Sequence, residues 1–148
     1  MTTVFDQQTR DTLVNRINML NQNSTPQWGK MNVYQVIKHC ALADEMFLGK
    51  RAYKRAFIGR VLGQWALKGV LKDDKPLKKN SPTSPAFKVR QIAGDVPTEK
   101  RKWVELIDAY AAFNDNEFVH WFFGKMTREQ VGYFAYKHSD HHLRQFGC

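Results

Sequence analysis

The stretch from Thr127 to Gly147 constrains the fold of this chain more than any other. It opens on Thr127-Arg128-Glu129-Gln130, a spacing in which the first side chain and the fourth satisfy each other's free backbone N–H groups at a helix start. It closes on Gly147, the residue type that most easily takes the left-handed turn ending a helix. At 100° per residue, Val131, Phe134, Ala135, His138, His141, His142, Gln145 and Phe146 share one side. A helix with such a face is stable only when other helices cover it, and whatever covers it must accommodate three imidazoles among apolar side chains.

The rest of the chain supplies covering helices. Leu13, Val14, Ile17 and Leu20 recur at helical spacing between about Asp6 and Asn21, and the Asn23-Ser24-Thr25-Pro26 cluster ends that run. Asn32-Val33-Tyr34-Gln35 reads as a second capping box, opening a helix to about Gly49 whose inward stripe is Val33, Val36, Ile37, Cys40, Ala43 and Phe47. A weaker helix is predicted over about Arg51 to Leu71, where Ile58, Val61, Leu62 and Trp65 are apolar and Gly59, Gly63 and Gly69 work against helix formation. Thr98 is the expected cap of another, with Trp103, Leu106, Ile107, Tyr110 and Ala111 buried. Between them, Lys72 to Pro97 holds four of the five prolines and no clear period, so a long irregular connection is expected there. Nothing alternates as a strand does. The expectation is one all-α domain over residues 1–148, a helix bundle of four long helices plus one additional helix, with any ligand site built between facing helices.

Several classes of function drop out. No apolar run approaches the ~20 residues of a membrane span. The start, Met1-Thr2-Thr3-Val4-Phe5-Asp6, lacks the layout of a secretory signal, so a cytoplasmic protein without a membrane partner is expected. Cys40 and Cys148 form no CxxC pair and read as free thiols. The net charge of +9 is concentrated: Lys50 to Lys79 holds ten Lys or Arg against Asp73 and Asp74. Such a face is commonly plain solvated surface, and it could also attract nucleic acid, a membrane surface or a small anionic ligand. With Tyr53, Phe57 and Trp65 interleaved it resembles a nucleic-acid surface, but no base-reading motif accompanies it, and nucleic acid is not the expected partner.

The histidines carry the chemistry. His138 and His142 lie one turn apart, where two imidazoles can reach one metal ion. The same spacing also arises between hydrogen-bonded core histidines. Three buried imidazoles need partners for six ring nitrogens, a demand that a metal ion relieves. His39, at the edge of the second helix's stripe, is the natural third ligand, since catalytic zinc-type sites use three protein ligands and leave a position open. His120, His141 and Gln145 are candidates for the pocket or for bonds to the ligands. His138-Ser139-Asp140 lacks the Glu of the zincin motif, and a single Glu-x-x-His at Glu117 to His120 does not make a di-iron site.

One His on the second helix with His-x-x-x-His on the last resembles the DinB superfamily, most closely a DinB-like branch without an assigned activity. The resemblance is carried by Trp28-Gly29-Lys30-Met31 leading into Gln35-Val36-Ile37-Lys38-His39-Cys40, and by Phe122-Phe123-Gly124 leading into Lys137-His138-Ser139-Asp140-His141-His142-Leu143-Arg144-Gln145-Phe146-Gly147. The loop Asn80-Ser81-Pro82-Thr83-Ser84-Pro85 matches as well, whereas Trp121 stands where relatives commonly have Pro. The resemblance implies an up-up-down-down four-helix bundle with an extra helix, and frequent homodimerisation. It also implies a divalent ion, zinc or nickel, on His39, His138 and His142. Members with known activity include thiol S-transferases that use bacillithiol and a mycothiol-dependent isomerase. The expected function is therefore a metal-dependent thiol S-transferase or hydrolase acting on a small-molecule substrate, with a low-molecular-weight thiol as a possible second cofactor. A non-catalytic binding module and a structural dimerisation protein are the competing classes.

Overall fold

The computed structural model describes residues 1–81 and 84–148. Five helices form: α1 (Gln7–Met19), α2 (Val33–Phe47), α3 (Phe57–Val70), α4 (Val96–Ala109) and α5 (Arg128–Gln145). α2 packs on α4 and α5, and α1 packs on the same two helices, so these four enclose one core. Leu13, Ile17, Ile37, Cys40, Phe47, Trp103, Ile107, Val131 and Leu143 fill it. Both capping boxes form, Asn32 with Gln35 and Thr127 with Gln130, and Gly147 takes a positive φ of 77° beyond α5. Deep in the core lies the carboxylate of Asp44 on α2, whose two oxygens accept from Trp103 Nε1 (2.9 Å) and the Tyr110 hydroxyl (2.7 Å).

Four sequence expectations need correction. The cap of α4 is Asp95, whose carboxylate accepts from the Thr98 backbone; Pro97 therefore sits inside the first turn, where its missing N–H has no consequence. Ala111 is exposed, because the chain tightens into a 3₁₀ turn at Tyr110–Ala112 before that position can face inward. A short antiparallel ladder, β1 (Val119–His120) with β2 (Gly124–Lys125), interrupts the all-helical pattern, and two residues per strand are too few to show alternation. The third helix begins at Phe57 rather than near Arg51. Of the loop that matched relatives, Pro82 and Thr83 lie outside the described residues.

α3 is held in an unusual way. Its inward face is Gly59, Gly63 and Leu67, and a Cβ at either glycine would overlap the Phe122 carbonyl of the hairpin. Gln64 Nε2 donates to the carbonyls of Phe123 (2.7 Å) and Lys125 (2.8 Å). At the other end, the buried Lys137 of α5 donates to the carbonyls of Val70 (2.8 Å) and Asp73 (2.7 Å), satisfying acceptors that a helix end leaves free. The glycines that weaken α3 as an isolated helix are thus what lets it approach the hairpin. Gly63→Ala should destabilise the protein by about 1–3 kcal/mol through this overlap, although alanine is the better helix former. Urea unfolding reads the difference, and a gain in stability would refute the close contact.

Candidate metal centre

The imidazoles of His39, His138 and His142 converge from α2 and α5, with one ring nitrogen from each lying within 4.8 Å of the others. The Nε2 atoms of His39 and His138 are 3.2 Å apart. Two nitrogens bound to zinc at about 2.0–2.1 Å sit roughly 3.0–3.4 Å from each other, depending on the angle at the ion, so the spacing suits a shared cation.

Hydrogen bonds behind the rings decide which nitrogens face inward. His39 Nδ1 is 3.0 Å from the carbonyl of Phe87, an atom that can only accept, so the proton of this imidazole sits on Nδ1 and Nε2 presents its lone pair. His142 Nδ1 is 2.9 Å from Gln145 Oε1. The orientation of that amide follows from its other end, where Gln145 Nε2 donates to the carbonyl of Trp28 at 2.7 Å. His142 therefore donates from Nδ1 and turns a bare Nε2 inward. Outer partners of this type orient metal-ligating histidines and raise their basicity. His138 differs: its Nδ1 is buried with no partner among the described residues, although the residue as a whole is somewhat less buried than His39 and His142.

The electrostatics agree. Burial is the main cause holding all three imidazoles below the usual His range, His142 down to about 3 and His138 well below, with repulsion among the rings adding to it. At neutral pH the cluster is uncharged, the form in which imidazole binds metal. Without a cation, His138 has one proton to offer, from Nε2 to the bare Nε2 of His39 at 3.2 Å, and it cannot serve His142 as well; one divalent ion would satisfy the three rings together. The residues fit such an ion.

The surroundings fix this geometry. Asp140, on α5 between the ligands, bonds Arg16 of α1 at 2.8 Å and Arg144 at 2.7 Å, tying α5 to α1. Phe87 is delivered by a 3₁₀ turn, Pro85–Phe87, capped by the Ser84 hydroxyl within the long connection between α3 and α4. Its ring stacks on Tyr53 (centroids 4.4 Å) and meets Trp121 (5.9 Å), forming an aromatic wall next to His39.

The matches of this chain to known proteins are few. Residues 4–147 fit the model of a family described as protein of unknown function (DUF1569). The chain belongs to that family. No curated protein and no solved structure matches it. In this DUF1569 chain the sequence-predicted candidates divide as follows. His39, His138 and His142 come together, and Gln145 is the partner of His142. His141 stands outside the cluster with its edge to Trp28, lining a cavity of about 390 Å³ with Leu77, Lys79, Arg144 and Cys148. That cavity includes none of the three converging imidazoles. His120 belongs to the hairpin: its Nδ1 accepts from the backbone N–H groups of Phe122 and Phe123, both at 3.1 Å, and its ring stacks on Phe123 and Phe47. Burial, and then the Arg55 charge, hold it neutral with a pKa of about 3.

Proposed function

We propose that this chain binds one divalent metal ion, zinc or nickel, through His39, His138 and His142, and acts on a small-molecule substrate as a metal-dependent thiol S-transferase or hydrolase. The observation that carries the reading is the pair of fixed tautomers: the Phe87 carbonyl and Gln145 hold the protons of His39 and His142 on the outer nitrogens, leaving the inner ones free to ligate. The resemblance of the two sequence blocks to the DinB superfamily supports the same triad and the up-up-down-down bundle.

A divalent ion with an open position lowers the pKa of water or a thiol bound there, supplying a nucleophile at neutral pH. The protein's own part is to orient and to shield. His39 and His142 keep their protons at Nδ1, and Phe87 with Tyr53 and Trp121 forms an apolar wall beside His39.

Elemental analysis of the purified protein, followed by titration of the ion-free form with zinc and nickel, tests the metal. About one ion per chain is expected, and failure to bind either ion at neutral pH would remove the reading. A screen for conjugation of low-molecular-weight thiols to electrophiles tests the reaction, with turnover expected only from the loaded protein.

A further inference from the structure

The largest feature that the histidine cluster does not use is the outer face of α3. Phe57, Ile58, Val61, Leu62 and Trp65 fall within an arc of about 140° at 100° per residue. Phe57 is 83%, Val61 71% and Trp65 78% exposed, and Ile58 and Leu62 are about half exposed. Weighting full side-chain areas of about 150–250 Å² for the aromatics, and less for the others, gives roughly 700 Å² of apolar surface. Soluble monomers seldom leave a patch this large without a use. The fold does not need it: α3 is fixed by its glycine face, by Gln64 and by Lys137, all on other sides of the helix or at its end. The helix is presented as a rigid, outward-facing apolar ridge.

Charge decides what covers it. From Lys50 to Lys72 there are seven basic residues and no acid. Arg51 pairs with Glu45 and Arg55 folds back on the Gly59 carbonyl. Lys50, Lys54, Arg60, Lys68 and Lys72 make no ion pair among the described residues. A second copy seated on this ridge would bring the same cations against themselves with no carboxylate between. A sheet of anionic headgroups over an acyl layer meets both halves of the surface at once: aromatic and aliphatic side chains enter the interface, and lysine and arginine flank them at headgroup level. We propose that α3 is a membrane-surface helix, docking this protein flat on a bilayer rich in anionic phospholipid. No helix of the described residues is long and apolar enough to cross a membrane, and the sequence expectation of no membrane partner rested on span length and on the layout of the first residues. A helix lying in the plane of the interface is not subject to that length.

Flotation of the full chain with vesicles tests this. Binding is expected to vesicles rich in phosphatidylglycerol and not to pure phosphatidylcholine, and it should weaken as salt is raised. The double variant Val61→Asp with Trp65→Gln changes exposed positions only, so its helical circular dichroism should match the parent while vesicle binding falls by more than about tenfold. Lys54→Gln with Lys68→Gln should weaken binding to anionic vesicles to a smaller extent. Absence of binding by the parent chain, or binding unaffected by Val61→Asp with Trp65→Gln, overturns the proposal. So does a parent dimer, seen by sedimentation equilibrium, that this variant converts to monomer, since the ridge would then be a contact between copies. None of these readouts depends on the metal.

Discussion

His142→Ala is expected to lower zinc affinity by well over 100-fold, as are His39→Ala and His138→Ala, while His141→Ala leaves it within a few-fold of the parent. Each of the first three removes one of the three imidazoles that, among the described residues, lie close enough together to hold an ion. His141, adjacent in sequence, turns about 100° away on the helix and meets Trp28 instead. Gln145→Ala should fall between these limits, at roughly 10–100-fold, the usual effect of losing a partner behind a ligand. It frees His142 to rotate and to carry its proton on either nitrogen, but deletes no donor atom. Isothermal titration of the five variants ranks them. A large loss from His141→Ala alone would reassign the site. Proton competition should also begin below the ordinary His pKa of about 6.5, because burial already holds His142 at about 3.

The same particulars show how far the sequence can be read. The capping boxes, the α5 stripe and the His138 and His142 pair are local patterns, set by residues within two turns of each other, and each appears where the spacing puts it. His39 was legible through its place on a stripe. Phe87 was not, because its role is played by a backbone carbonyl and every residue type has one; only Ser84-Pro85, a cap followed by a helix-starting proline, hinted at a turn there. The direction of α3 was also hidden. Periodicity shows that Ile58, Val61, Leu62 and Trp65 share a face, but which face is buried depends on the hairpin backbone that admits only Gly59 and Gly63. Asp44 was visible in principle, four residues after Cys40 and seven after Ile37, as a carboxylate within an apolar stripe.

That carboxylate should lower stability as pH rises from acid toward neutrality. Asp44 is 1% exposed, and burial raises its pKa to about 7 against the pull of the Tyr110 and Trp103 hydrogen bonds. The unfolded chain releases this proton near the ordinary carboxylate value of about 3.9, while the folded protein keeps it until about 7. Between those values the unfolded state binds fewer protons, so this group's contribution to stability falls as pH rises, by a total on the order of 4 kcal/mol, and levels off above about 7. The imidazoles act in the opposite sense. His120, with a folded pKa of about 3, stays neutral while the unfolded chain takes up a proton below about 6.5, so its contribution is lost as pH falls. The two slopes overlap in the parent, but a difference between the parent and Asp44→Asn cancels every group except Asp44. The carboxamide can still accept from Trp103 through its oxygen, and the Tyr110 hydroxyl can rotate to accept from its N–H₂. Urea unfolding of both proteins with a chelator present, at pH 5 and at pH 8, should show Asp44→Asn gaining on the parent by a few kcal/mol between the two. A difference that stays constant with pH would mean that Asp44 is ionised in the core throughout, its charge held by those two donors alone.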